Sequence, residues 1–430
     1  MSSKPTLAVV GSGISGLFSA YFLSQHYQVT LFEQNNYYGG HSNTVNINYN
    51  GLNIDVDTGF IVFNEKTYPN FLQFLALLDV AYEPSKMSFA VQILNQQKIL
   101  LEYAGTNFAG LFAHKKNFFN YRFLKMLIEI VRFNKVALQV LQNETDFSYS
   151  LANFLQDQKF SSYFCKHYLF PMASAIWSTD INEIGNYPAI SFVQFFYNHG
   201  LLTINNQPQW YTISGGSKKY VAKVLDFIKQ NGGLLCQQKV LTINSGNNKH
   251  LINTENSQYS FDKVVLACHA NQALAITKNL STQQIEVLKN FSYQKNTAVL
   301  HKDISVMPKS KKAWASWVYT SNIASSSKLS VSYWMNNLQN ISNNHPLFVT
   351  LNPQQNIDKQ NIFTSIAYHH PVFNQQALQA QQKIPQIQGQ NNLYFCGAYQ
   401  RYGFHEDGVF SALQLVNSLG IYTPWQNSAV

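Results

Sequence analysis

The chain opens on a strand, Leu7-Ala8-Val9-Val10, that runs straight into Gly11-Ser12-Gly13-Ile14-Ser15-Gly16. A short apolar run closed by glycine suits a strand covered on both faces, as in a parallel sheet. The apolar stretch Leu17 to Leu23 that follows suits a helix. At G-x-G-x-x-G spacing each glycine has a mechanical task. Gly11 permits the tight turn, Gly13 lets a pyrophosphate approach the backbone, and Gly16 lets helix and strand pack closely. The helix N-terminus presents unpaired N–H groups and a positive dipole end to phosphate. A second strand, Val29-Thr30-Leu31-Phe32, ends in Glu33. That acid lies about 20 residues beyond the glycines, where a carboxylate binds ribose hydroxyls and repels a 2′-phosphate. The pattern predicts an α/β, Rossmann-like dinucleotide-binding domain and disfavours NADP.

After Glu33 an NAD domain normally enters a crossover helix. This chain instead runs through Gln34 into Asn35-Asn36-Tyr37-Tyr38-Gly39-Gly40-His41-Ser42, whose glycine pair permits a second close backbone approach. A hairpin follows, Val45 to Tyr49 and Leu52 to Val56 around Asn50-Gly51, then Asp57-Thr58-Gly59-Phe60. Near the other end, Leu393 to Cys396 read as a short strand ending at Gly397. A loop, Ala398 to Phe404, leads to His405-Glu406-Asp407-Gly408 and a helix through Leu419 that is expected to begin after the acidic pair.

These stretches resemble the FAD-dependent flavin amine oxidase superfamily, which includes protoporphyrinogen oxidases and carotenoid-type desaturases. The resemblance is nearest to a bacterial branch of NAD/FAD-binding proteins associated with cyclopropane-fatty-acid-synthase-like genes. It covers nearly the whole chain and is carried by Gly39 to Thr44, Asp55 to Asn64, Pro171-Met172-Ala173 with Ile176-Trp177-Ser178, Gly215-Gly216-Ser217, and Gly397 to Gly408. It implies an FAD domain of the GR2 type interleaved with a helical-plus-sheet substrate domain, α+β overall. It also implies cofactor contacts at Gly11, Gly13, Ile14, Ser15, Gly16, Glu33, Gln34, Gly40, His41, Gly59, Phe60, Val240 (beside the adenine), Gly397, Glu406, Gly408 and Val409. The C-terminal helix would point at the pyrimidine end of the flavin and favour negative charge there. Two positions depart from the better-known oxidases: His41 replaces an arginine, and Ala398 follows Gly397 where an acid often stands.

The expected FAD domain comprises 1–90, 206–287 and 388–424, and the substrate domain 91–205 and 288–387. A length of 430 residues calls for more than one core. Residues 90–205 carry helix-like apolar periodicity. Trp210 to Ile213, Gly233 to Cys236, Gln238 to Ile243, His250 to Asn253 and Phe261 to Cys268 read as strands, and Lys218 to Gln230 as an amphipathic helix. A strand-rich block from 290 to 375 is expected to wall the substrate domain. The Asn- and Gln-rich patches 352–361 and 374–382 read as surface loops and helix faces.

The four cysteines show neither C-x-x-C nor zinc-like spacing and read as free thiols, with no metal site. Cleaving the N-terminus as a signal peptide would remove the nucleotide strand, so a cytoplasmic location is expected. The net charge of +9 does not gather into a nucleic-acid module, and no nucleic-acid partner is expected. The densest basic and aromatic stretch is 108–141. There Arg122, Lys125, Glu129 and Arg132 form a narrow polar stripe beside a wide apolar face. Two readings of that face stand: deep packing in the substrate domain, or peripheral docking on an anionic membrane surface.

For acid–base chemistry the candidates are His369 and His370, which precede the C-terminal flavin motif, and His405, which flanks the flavin helix. His301 and Asp303 are further titratable neighbours. No second G-x-G-x-x-G unit follows a strand, so electrons would leave for oxygen, a quinone or a protein carrier, or return to the substrate. The expected activity is hydride removal from an apolar substrate by an FAD-dependent oxidoreductase. A fatty-acyl or phospholipid-acyl chain, desaturated, fits the resembled branch. A redox-neutral double-bond isomerase, an amine oxidase and a non-catalytic dinucleotide-binding protein are the alternatives.

Overall fold

The computed structural model describes residues 4–96, 98–143, 148–202, 208–246, 249–324 and 330–427. Its first unit is built around β1 (Thr6–Val10), helix α1 (Ile14–Leu23) and β2 (Gln28–Phe32). Helices α2 (Pro69–Leu77), α3 (Tyr121–Asn143) and α4 (Lys218–Gln230) follow, then β3 (Leu234–Cys236), β4 (Lys263–Leu266), β5 (Leu393–Phe395) and helix α5 (His405–Ser418). The five strands form one parallel sheet in the order β3-β2-β1-β4-β5. Strand order reverses beside β1, which makes the carboxyl end of β1 the topological switch point where open α/β sheets bind ligands. Leu7, Ala8 and Val9 are fully buried, with α1 and α5 packed on one another along one face of the sheet. Apolar strands of this kind need both faces covered.

The second unit is a seven-stranded sheet drawn from 89–104 and 292–372, ordered 362–372, 292–301, 348–351, 330–334, 317–322, 89–95, 98–104. Its core continues into α3 and the helices Leu151–Asp157, Phe170–Trp177 and Ala189–Asn198. The expectation of helix from residue 90 onward is corrected here, because Phe89–Asn95 and Lys98–Ala104 are paired strands of this sheet. An apolar run read alone does not separate a buried strand from a helix; the turn at Gln96, with φ of +55°, decides it. Phe261 to Cys268 is likewise two strands, Gln258–Phe261 and Lys263–Leu266. The expected domain boundary at 205/206 lies outside the described residues. The hairpin forms as read, Thr44–Tyr49 against Leu52–Asp57, with Asn50 and Gly51 at φ of +53° and +88°.

Candidate dinucleotide and active site

Gly11, at φ of +103°, donates its N–H to the Phe32 carbonyl and turns the chain between two strand ends. A Cβ on Gly16 would stand 1.9 Å from the Gly11 carbonyl oxygen, so only glycine fits where α1 crosses the turn. Gly13 is different. Its φ of −63° and ψ of 176° suit any residue, and a Cβ there would meet nothing within 4 Å. Nothing in the polypeptide asks for glycine at this position.

Ser12 joins the turn to two further elements. Its N–H and Oγ both donate to Glu33 Oε2, at 3.1 and 2.5 Å, and its Oγ accepts from the Gly39 N–H at 3.1 Å. Gly40, at φ of +61°, lies so close that a Cβ would be 2.9 Å from Gly13 Cα. The Thr58-Gly59-Phe60 segment backs onto the same turn, where Phe60 donates its N–H to the His41 carbonyl at 2.7 Å. From the opposite side Gly408, in the first turn of α5, abuts Ile14 and Ser15. Two helix N-termini and two glycine turns thus converge at the carboxyl ends of β1 and β4, with Gly11, Gly13, Gly40, Gly59 and Ala267 to His269 part-exposed among buried neighbours. Val240 is buried in the same core cluster as Val10 and Phe32, the last residues of β1 and β2. Gln34 is exposed, and Val409 is buried in the α1–α5 core.

The crevice is rimmed by imidazoles brought from distant parts of the chain. His41 stacks on Tyr368 at 4.7 Å and lies 5.3 Å from His370. His269, at the carboxyl end of β4, stacks on Tyr293 and is 6.3 Å from His369. His370 Nδ1 is 2.8 Å from the Asn296 amide nitrogen. Burial, reinforced by the neighbouring histidines, pushes His41 down to about 4 and His269 and His370 down to about 3. All three are neutral at pH 7. Among the described residues no group of three or more His, Cys, Asp or Glu is arranged to hold a metal ion.

Of the three candidate catalytic histidines, His370 reaches into this cluster, while His369 is exposed beside it. His405 is enclosed instead. Its ring stacks on Phe60 at 3.7 Å, its Nε2 lies 2.9 Å from the Tyr220 hydroxyl and 3.2 Å from Ser42 Oγ, and burial pulls its pKa well down. The side chain of Glu406 caps a neighbouring helix. Its carboxylate accepts the N–H groups of Asn70 and Phe71 and the Asn70 amide, closing the first turn of α2. Helix α5 begins one residue before the acidic pair, and Asp407 accepts from the Phe404 and Tyr402 N–H groups to fold the preceding loop.

Sequence reading missed His269, although its place after a buried parallel strand was a usable signal. It also missed Asp57. That carboxylate is fully enclosed and accepts from Thr44 Oγ1, from the Ser217 N–H and Oγ, and from Gln339 Nε2 of the second unit. Between the two units lies a small aromatic cavity lined by Trp177, Tyr187, Ser191, Phe192, Phe373, Leu378 and Tyr402. None of these side chains carries a charge.

Residues 9–78 match a family model described as an NAD(P)-binding Rossmann-like domain. No curated protein sequence matches the chain. Among solved structures, a CLA-producing fatty acid isomerase from P. acnes superposes with a TM-score of 0.69 at 14% identity, over 98% of this chain and 100% of that one. Cyclohexylamine oxidase from Brevibacterium oxydans IH-35A gives 0.66 at 12%, over 97% and 100%. Putrescine oxidase bound to putrescine gives 0.66 at 12%, over 97% and 99%. The protein therefore shares the overall fold of these oxidases and this isomerase.

Proposed function

We propose that this protein is an FAD-dependent enzyme that moves a hydride on an apolar, acyl-chain substrate. The observation that carries the cofactor assignment is Gly13, a glycine with ordinary dihedrals facing open space at the switch point. It is required only if something outside the polypeptide approaches the backbone there. The residues present fit FAD. The turn at Gly11 to Gly16 and the first-turn N–H groups of α1 would hold the pyrophosphate, Glu33 the ribose and Val240 the adenine, with α5 directed at the flavin. His41 Nε2 is buried without a hydrogen-bond partner and is free to meet the bound cofactor.

When bound, the flavin supplies hydride chemistry; the protein's part is to orient substrate, exclude water and move protons. The likeness to a fatty acid isomerase supports an acyl-chain substrate over an amine. With the Asn296 amide donating to Nδ1, His370 would carry its proton on Nε2 and present it to the crevice. Desaturation is the primary reading. A redox-neutral double-bond isomerisation is the second, favoured by the likeness to a fatty acid isomerase.

The test begins with the purified protein, which should be yellow and release FAD on denaturation. A colourless protein that takes up no added flavin would end the proposal. Anaerobic mixing with unsaturated fatty acids or their phospholipid esters then separates the two reactions. Lasting bleaching of the flavin band means net oxidation; product formed with the band unchanged means isomerisation.

A further inference from the structure

Helix α3 carries two apolar faces, and the structure covers only one. Phe123, Met126, Phe133, Ala137 and Val140 are buried against the second unit. On the other side Tyr121, Leu124, Ile128 and Val131 follow at helical three- and four-residue steps, with Leu138 two turns further on, and all are exposed, Tyr121 at 75% and Ile128 at 71%. The stripe continues beyond the helix N-terminus into Phe119 at 94%, Phe118 and Phe108, the last two tied by ring contact. Single exposed apolar residues are ordinary on protein surfaces, but a contiguous series marks an interaction site.

The charge around this stripe is of one sign. Lys115, Lys116, Arg122, Lys125 and Lys135 are exposed along it. The loop carrying Lys309, Lys311 and Lys312, also exposed, packs against the turn at Gly110. Among the described residues, none of Lys115, Lys116, Arg122 and Lys125 is paired with a carboxylate. The one acid of residues 108–141, Glu129, is buried and accepts from the Ser161 N–H and Oγ; Glu102, in the adjoining strand 98–104, is buried too and accepts from the Ser310 N–H and the Gln92 amide. The predicted polar stripe is therefore corrected at Glu129, which faces inward and leaves the outer face without an exposed acid among its described residues. Among the described residues no helix is long and apolar enough to cross a membrane.

We propose that the outer face of α3, with the Phe108–Phe119 turn, docks the protein on an anionic lipid surface, its apolar side chains entering the headgroup–acyl boundary while the lysines lie among the headgroups. A second protein copy would bring the same cations against each other. An anionic bilayer complements both the charge and the hydrocarbon. Long basic side chains flanking an apolar stripe can extend toward headgroups while their stems lie on hydrocarbon. The surface stands independently of the proposed reaction.

The test is co-sedimentation of the full-length protein with vesicles, either pure phosphatidylcholine or phosphatidylcholine mixed with phosphatidylglycerol. Binding should require phosphatidylglycerol and weaken with added salt. The double variant F119S/I128S should lose at least about tenfold in partitioning, since two large side chains no longer leave water. The variant K115Q/K116Q/K125Q should lose more, each cation near an anionic surface being worth about fivefold. All five positions are exposed, so circular dichroism and flavin content should match the parent protein. No binding to phosphatidylglycerol vesicles at low salt would overturn the proposal. So would unchanged binding by both variants, or a wild-type dimer that F119S/I128S converts to monomer without altering vesicle binding.

Discussion

The crevice at the end of β1 and the outer face of α3 depart from the chain's own structural needs in opposite directions. At Gly13 a side chain is missing where the polypeptide has room for one. At Phe119 and Ile128 large apolar side chains are present where the polypeptide gives them nothing to cover. The first departure implies a ligand held inside the fold and the second a partner outside it. Their electrostatics differ in the same sense. The crevice is rimmed by part-exposed imidazoles whose pKa values are pushed down by desolvation, whereas the helix face carries permanent ammonium and guanidinium charge. One should respond to pH and the other to salt.

The largest effect expected separates two glycines three residues apart. In Gly16→Val a side chain would overlap the Gly11 carbonyl, and backbone cannot yield that far, so no folded protein should be recovered. In Gly13→Val the dihedrals are permissive and the space is open, so the variant should fold with an apo melting temperature close to that of the apo parent. It should nonetheless hold no flavin. Calorimetry of flavin-stripped protein and the visible spectrum of the purified variant check both halves. A yellow Gly13→Val protein would break the contrast.

Acid should act next, and on the crevice. His41, His269 and His370 have folded pKa values below their unfolded ones, so their contribution to stability is complete above about pH 6.5 and is lost as pH falls toward 4. At pH 5 each of these part-exposed imidazoles costs at most about 2 kcal/mol relative to an unfolded chain that takes up the proton. Glu406 and Asp407 work the other way. Burial raises them to about 7 and about 6, so they favour the folded state at lower pH and lose that contribution as pH rises. Three histidines outweigh two acids, and the melting temperature of the apo protein should drop between pH 7 and pH 5. A flat profile over that range would mean that the imidazoles are open to water.

A third expectation concerns the joint between the units. Asp57→Ala removes the acceptor for the Ser217 N–H and hydroxyl and for the Gln339 amide, leaving buried donors without partners. The cost should be about 3 kcal/mol, read as a lower midpoint in urea. Asp57→Asn keeps the shape and one acceptor oxygen and should cost less. Equal losses would mean that packing, not hydrogen bonding, holds the joint.

Local pattern made one side of the comparison legible and tertiary packing hid much of the other. The turn at Gly11, the acid at Glu33, the hairpin at Asn50-Gly51 and the strand before α5 are set by backbone geometry that only certain residues permit, so they could be read along the chain. The bonding of Asp57, Glu406 and His405 depends on partners more than 150 residues away, such as Ser217, Asn70 and Tyr220, and no spacing encodes those. The imidazole cluster was only half visible for the same reason. His370 drew notice by sequence, while His269 joins it through the register that sets Lys295 opposite His369 and Gln294 opposite His370. For α3 the hydrophobic pattern reported a wide apolar face, correctly as composition. It could not say that the fold covers only one side of that face, because coverage is a property of the neighbours.

The smallest effect expected is the sharpest test of that last point, because it compares two residues on one helix. Met126 is fully buried beneath α3, and Met126→Ala should cost about 2–5 kcal/mol through lost packing and a cavity. Ile128, two positions on, points to the opposite side and is mostly exposed. Ile128→Ala removes more hydrocarbon than many core substitutions yet should change stability by no more than about 0.5 kcal/mol, since no protein contact is lost and alanine is the better helix former. Urea midpoints of the two variants, measured without lipid, give the ratio directly. If Ile128→Ala destabilises as Met126→Ala does, the outer face is packed against protein in solution, and the distinction between an interior ligand and an exterior partner fails at this helix.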